Sequence, residues 1–243
     1  MKKSDLLHFI ELYNLSGAVE KVKIDADGTD LKTTFITEDK TLYGTVHYRG
    51  LAMEKGEYAF HDTAQFKKML SPLEEDISVS VERVNDRPIG LTFSDDNVDS
   101  AMMLADLSVV PKAPKGVAPG NADFEFTIDE EFINRFITAK NALGKDVTSF
   151  TLLFNPKTNK TELIIGYSNI NTNRIRLEIK PVAGKEKIEK QVSFNADYLK
   201  EILSKNPITG TTTCKVNSAG LAHLQFNTVA YDANYYLLKV SSI

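Results

Sequence analysis

The strongest constraint on this chain is that it repeats itself. Shifted by 133 positions, residues 62–108 align with 195–241 without a gap. Eight of the 47 pairs are identical: Lys67/Lys200, Leu70/Leu203, Ser71/Ser204, Leu91/Leu224, Phe93/Phe226, Asp99/Asp232, Leu104/Leu237 and Ser108/Ser241. About three identities are expected by chance at average composition. A second register, offset by 127, pairs Phe9/Phe136, Ile10/Ile137, Asn14/Asn141 and Gly17/Gly144, so the second copy carries six extra residues in its middle. The chain reads as two homologous domains.

The join falls in Val109-Val110-Pro111-Lys112-Ala113-Pro114-Lys115-Gly116-Val117-Ala118-Pro119-Gly120, where three prolines and two glycines preclude a helix or a central strand. This gives a first domain over 1–110, a semi-extended connector over 111–120 and a second domain over 121–243. Each half has the same order of elements. Leu6, Phe9, Ile10 and Tyr13 mark one face of a first helix, and Phe132, Ile133, Phe136 and Ile137 mark its counterpart. Second helices start at the N-caps Asp62 and Asn195. Strands are expected near 19–25, 30–37, 41–48, 56–61, 77–84, 88–94 and 101–108, then near 147–155, 161–168 and 174–181, with three more closing the chain. Four short helices and some fourteen strands make an α+β protein dominated by antiparallel sheet.

Hydrophobic residues at 42 % and charged residues at 26 % are ordinary globular values. No apolar run approaches the ~18 residues of a membrane span, and Met1-Lys2-Lys3-Ser4-Asp5 leads straight into an amphipathic pattern, so the expectation is a soluble intracellular chain with no membrane partner. The single cysteine, Cys214, makes no internal disulfide, and His8, His47, His61 and His223 show no metal-ligand spacing. Asp95-Asp96-Asn97-Val98-Asp99-Ser100 nearly spells a calcium loop but lacks the glycine at position six and sits between strands, so it reads as a polar turn. Asp129-Glu130-Glu131 stands where a helix N-terminus favours acids. No nucleophile-elbow G-x-S-x-G, zinc-protease H-E-x-x-H or paired-cysteine C-x-x-C motif occurs, and no catalysis, cofactor or metal is expected.

The formal net charge of -4 argues against an ordinary nucleic-acid binder. Its distribution matters more. The four helical segments carry nine basic and eight acidic residues, the remainder 20 basic and 25 acidic. Six of the eight helical acids lie in first turns, which leaves Lys67, Lys68, Arg135, Lys145, Lys200 and Lys205 on moderately basic, polar faces. Taken alone these are ordinary solvated faces. If duplicated units close into a ring with the helices inside, the same face recurs around a lumen. Topological linkage then holds DNA without high affinity, and an acidic exterior discourages sticking.

The residues also resemble a known family. Met1-Lys2-Lys3-Ser4, with its helix ending in Leu15-Ser16-Gly17, resembles the start of the two-domain DNA sliding clamps of tailed bacteriophages. Phe60-His61-Asp62 leading into Phe66-Lys67-Lys68-Met69-Leu70-Ser71, and the segment from Ser193 to Leu203, are similar to the second helix of each clamp domain. Asn234-Tyr235-Tyr236-Leu237-Leu238-Lys239-Val240 resembles the last strand of proliferating cell nuclear antigen. The resemblance implies a DNA-clamp fold: two duplicated domains, each with two helices packed on antiparallel sheets, closing into a ring as a homotrimer through the edge strands 101–108 and 174–181. It implies a non-enzymatic processivity factor that encircles double-stranded DNA, tethers a DNA polymerase and is opened by a separate ATP-dependent clamp loader, in the cytoplasm of the host cell if phage-encoded. The DNA-facing residues it suggests are Lys2, Lys3, Lys67, Lys68, Arg135, Lys145, Lys200 and Lys205. Partner peptides, including those of transcription factors if they share the site, would dock in a groove lined by Val109, Val110, Leu221, Tyr236 and Val240. Two other readings stay open: a monomeric processivity factor with a basic outer face, and a β-rich phage structural protein that does not bind DNA.

Overall fold

Caps and apolar spacing set the four helices. In the computed structural model, which describes residues 1–114, 121–168, 172–208 and 210–240, α1 spans Lys3–Asn14, α2 Thr63–Leu70, α3 Glu130–Leu143 and α4 Ala196–Lys205. The Asp62 carboxylate accepts from the Gln65 N–H at 2.6 Å, and Asn195 Oδ1 accepts from the N–H groups of Asp197 and Tyr198 at 2.9 and 3.0 Å. Each cap satisfies helix-start donors that would otherwise lack a partner. At the end of α1, Asn14 Oδ1 accepts from the Gly17 N–H at 3.1 Å while its amide donates to the Val19 carbonyl at 2.8 Å. That buried side chain fixes where the chain leaves the helix.

The strands among the described residues are β1 (Val22–Ala26), β2 (Leu31–Ile36), β3 (Leu42–Tyr48), β4 (Gly56–Phe60), β5 (Ser78–Val84), β6 (Arg87–Ser94), β7 (Asp99–Met103), β8 (Phe124–Ile128), β9 (Ser149–Asn155), β10 (Lys160–Ile165), β11 (Ile175–Leu177), β12 (Lys180–Pro181), β13 (Val192–Asn195), β14 (Thr212–Asn217), β15 (Leu221–Asn227) and β16 (Tyr231–Leu238). The chain forms two units. One comprises Met1–Glu38, Tyr43–Ala113 and Asn227–Ala233, the other Asp39–Leu42, Pro114–Phe226 and Asn234–Ile243.

In the first unit one antiparallel sheet runs β3-β2-β1-β4, a second runs β5-β6-β7, and α1 packs on α2. Its core joins Leu6, Phe9, Ile10 and Tyr13 of α1 to buried strand residues such as Val22, Ile24 and Tyr58. The Phe60 and Phe66 rings stack at 4.4 Å, with Phe93 5.4 Å from Phe66. Arg49 holds the late segment in place. Its N–H donates to the Ala230 carbonyl at 2.8 Å, and its guanidinium bonds the Thr228 and Val229 carbonyls and the Asp232 carboxylate. Tyr231 stacks on Tyr48 at 5.9 Å and meets the His8 ring edge-on at 5.2 Å.

In the second unit the order β11-β10-β9-β13 repeats the winding of β3-β2-β1-β4, β14, β15 and β16 follow one another as β5, β6 and β7 do, and α3 packs on α4. A run of rings forms the core: Phe132 to Phe136 at 5.9 Å, Phe136 to Phe150 at 5.7 Å and Phe150 to Phe194 at 5.5 Å. Fully burying one such ring is worth roughly 1.5–3 kcal/mol.

Two strand expectations need correction. The run 101–108 ends at Met103, because Asp106 caps a short 3-10 turn over Leu107–Val109 by accepting from the Ser108 N–H at 2.9 Å. The run 174–181 is broken. Ile175–Leu177 pairs with β10, and Lys180–Pro181 pairs with β8 instead, so the chain changes sheet at Glu178-Ile179. No described helix is long and apolar enough to cross a membrane.

Candidate nucleic-acid and partner-binding surfaces

The basic side chains differ in how far their charge is already committed. In the first unit Lys2 precedes α1 and forms an ion pair with Asp76 at 2.7 Å, and the Lys3 ammonium donates to the Leu73 carbonyl. Both are held against the segment that enters β5 and do not stand on a free helix face. Lys67 and Lys68 lie in the last turn of α2. Lys67 reaches Glu11 of α1 at 3.3 Å, while Lys68 is exposed and has no ion pair among the described residues.

In the second unit Arg135 pairs with Glu131 one turn earlier at 2.6 Å, and Lys200 lies 3.6 Å from Glu201. The exposed Arg135 pair holds its charges only loosely, and the half-buried Lys200 pair is longer. Lys145 follows α3 and is exposed, and Lys205 ends α4 half-buried. Arg135 also borders a groove of about 430 Å³ with Thr138, Ala139, Ala142, Ile175 and Leu177, beneath the edge of β11. Lys140, counted with the helical bases in the sequence, is not at the surface. Its side chain is 3 % exposed, donates to the Gly144 carbonyl at 3.0 Å and pairs with Asp197 of α4 at 2.7 Å.

The residues read as a peptide groove fall in both units. Val109 is exposed and Val110 half-buried, in the 3-10 turn of the first unit and its C-cap. Leu221, Tyr236 and Val240, all half-buried, belong to the second. On β15 and β16, Leu221 and Tyr236 alternate with the buried Ala222, Tyr235 and Leu237, so they share the sheet face opposite the core. The Val240 N–H donates to the Ser193 carbonyl at 2.9 Å. The connector residues 115–120 lie outside the described residues.

The sequence reading weighed His223 only as a metal ligand, not as a groove residue. It stands two residues from Leu221 on the same face, stacks on the Tyr236 ring at 4.5 Å, and donates from Nε2 to Asn234 Oδ1 at 3.1 Å. The period-2 spacing from Leu221 was the signal available. Burial holds the His223 pKa below the ordinary value, assisted by the Lys215 charge across the strand pair and opposed by the Asn234 bond. The unfolded chain therefore takes up a proton below about pH 6.5 that the folded chain refuses, and stability falls as pH drops from there through the lower folded value. His223→Gln keeps a polar group and removes that titration. The drop in melting temperature between about pH 7 and about pH 5.5 should be smaller in this variant than in the parent, as differential scanning calorimetry would show.

The remaining sequence candidates have local structural roles. Asp95 accepts from the N–H groups of Asn97, Val98 and Glu74 at 2.8, 2.7 and 2.6 Å. Asp129 caps α3 by accepting from the Phe132 N–H at 2.8 Å and pairs with Lys180 at 2.7 Å. Cys214 is buried on β14, and burial pushes its thiol pKa far up, away from reactivity. Among the described residues no three His, Cys, Asp or Glu side chains are grouped to hold a metal ion.

The chain matches no protein-family model and no curated protein sequence. Its structure does match solved ones. The crystal structure of proliferating cellular nuclear antigen from Entamoeba histolytica superposes with a TM-score of 0.70 at 14 % identity, covering 99 % of this chain and 96 % of that one. A structure of the C-terminal region of FEN-1 bound to A. fulgidus PCNA gives 0.70 at 13 % identity, covering 100 % and 98 %. With antiparallel sheets wound twice in the same order and a helix pair in each unit, this chain has the clamp fold of the PCNA structures along essentially its whole length.

Proposed function

We propose that the protein is a DNA sliding clamp: a homotrimeric ring that encircles duplex DNA and tethers the replicative DNA polymerase for processive synthesis. The observation that carries this reading is the duplicated winding of the PCNA fold over the full chain, with a helix pair bearing moderately basic residues in each copy. Two units per chain require three chains for a six-unit ring, and a head-to-tail interface closes only when the rotation per subunit fits.

The mechanism is not enzymatic. The lumen residues Lys67, Lys68, Arg135, Lys145, Lys200 and Lys205 meet phosphates loosely enough to permit sliding, while Lys2, paired with Asp76, and Lys3, held on the Leu73 carbonyl, contribute less. A partner docked on the ring is kept at high effective concentration near DNA, so each rebinding is intramolecular. The groove of Val109, Val110, Leu221, Tyr236 and Val240 takes an apolar peptide from the polymerase. The bound FEN-1 C-terminal region on the A. fulgidus protein supports docking of a terminal segment on this fold. A separate ATP-dependent loader opens the ring. The opening Met1-Lys2-Lys3-Ser4 pattern supports a bacteriophage origin and hence work in the cytoplasm of the host cell.

Topology supplies the test. Once loaded, the protein should remain on nicked circular DNA and be lost when the circle is linearised, measured as protein co-migrating with DNA in gel filtration at elevated salt. Equal retention on both forms would reject a ring and favour a monomeric factor, whose binding would fall steeply with salt on either form.

A further inference from the structure

One strand position is filled in the second unit and open in the first. In the second unit β14 lies between β15 and β8, and Thr212, Thr213, Cys214 and Lys215 face Ile128, Thr127, Phe126 and Glu125 of β8. The first unit's counterpart of β14 is β5: the 133-residue shift sets Val79, Ser80, Val81 and Glu82 on Thr212, Thr213, Cys214 and Lys215. Among the described residues β5 pairs with β6 alone. Residues just before it are covered, because Lys2 bridges to Asp76 and the Met1 nitrogen donates to the Ile77 carbonyl at 2.7 Å. From Ser78 to Glu82 the outer edge has no backbone partner among the described residues.

Burial records the difference. Val79 and Val81 stand opposite the buried Phe93 and Leu91 of β6 and so share their face. Both valines are half-buried, whereas Cys214, which β8 flanks, is 2 % exposed. An unpaired strand edge with an apolar face is a template for another strand. The register shift between Glu82 and Arg83 limits the regular open stretch to the five residues 78–82, the length of β8.

Charge identifies the occupant. Lys215 is faced by Glu125, but its counterpart Glu82 is exposed and has no ion pair among the described residues. A favourable facing pair at Glu82 needs a base where β8 carries an acid. We propose that the β5 edge binds an extended segment of a partner protein by antiparallel strand addition, with a Lys or Arg against Glu82 and apolar residues against Val81 and Val79. Main-chain bonds supply the affinity, and the alternating side chains supply the choice of partner. The site lies within one unit and does not rest on the ring reading. A second copy is the poorer occupant, because residues 78–82 hold no base to face Glu82, and Arg83 beyond the shift is paired with Glu54 at 2.6 Å.

The probe is a fluorescein-labelled peptide containing Phe-Lys-Phe-Thr-Ile, which is the β8 sequence with its glutamate made lysine. The control contains Phe-Glu-Phe-Thr-Ile, and both are titrated with the protein at low salt and read by fluorescence anisotropy. The lysine peptide should bind at least about fivefold more tightly than the control, and Glu82→Lys should reverse that order. Saturating lysine peptide should slow amide hydrogen exchange at residues 78–82. Circular dichroism checks folding; if Glu82→Lys does not fold, Glu82→Gln replaces it and should bring the two peptides to within about twofold of each other. Failure of both peptides to bind, equal binding of the two to the parent, or slowed exchange confined to other strands overturns the proposal. Exchange at residues 78–82 that slows as the protein alone is concentrated puts a second copy on this edge and overturns the partner assignment.

Discussion

Replacing Lys67, Lys68, Lys200 and Lys205 together by glutamate is expected to cut clamp-dependent stimulation of the polymerase by about 100-fold or more while the assembly state stays that of the parent. All four lie on α2 or α4, and Lys67 and Lys200 are identical partners in the repeat, whereas Lys68 aligns with Glu201 and Lys205 closes α4. Each reversal changes the local charge by two, so a lumen built from them would repel phosphate instead of tolerating it. Arg135 is left unchanged because it borders the groove beneath β11, where a change would confound assembly with DNA contact. Sedimentation separates the two effects. Polymerase stimulation equal to that of the parent would remove these helices from the DNA path.

Asp197→Ala is expected to destabilise the protein by about 2–3 kcal/mol, more than Lys140→Met, which should cost about 1 kcal/mol or less. The asymmetry follows from burial. The Lys140 side chain is 3 % exposed and the Asp197 side chain 44 %. Removing the aspartate leaves a buried ammonium with the Gly144 carbonyl as its remaining hydrogen-bond partner among the described residues, whereas methionine removes the charge and keeps most of the volume. The figure for Asp197 is set below the usual cost of breaking a buried pair because water screens its carboxylate. Urea unfolding midpoints of the two variants check the order. An Asp197→Ala variant as stable as the parent would show that α3 and α4 are held by their apolar contacts alone.

The parts of this fold that were legible in the sequence are those governed by neighbours along the chain. Asp62 and Asn195 announced their helices because a cap acts over three residues, and Phe132 and Phe136 announced a buried face because helical spacing repeats locally. The short strand β8 was missed although Phe124, Phe126 and Ile128 alternate with half-buried residues, since the acidic start of α3 follows at once. The break after Leu177 had no local sign. Ile175, Leu177 and Ile179 keep a strict alternation, but the strand that each stretch pairs with is decided by distant residues of β10 and β8. Lys140 illustrates the same limit at a single side chain, because its burial depends on Asp197, 57 residues away in sequence, closing over it. Of the candidate surfaces, the positions of Lys68, Lys145 and Tyr236 could be read from periodicity. The ion pairs of Lys67 and Arg135 and the stacking of His223 on Tyr236 could not.

The Arg49 contacts to residues 228–232, and the seat of Tyr231 against His8 and Tyr48, bear on how the protein is made. A ribosome releases Arg49 well before Tyr231, with most of the second unit translated in between. The unit built around α1 thus waits, one wall unfinished, until residues 228–232 have emerged. The unit translated first is consequently unable to complete itself ahead of most of the other, which ties the maturation of the two together.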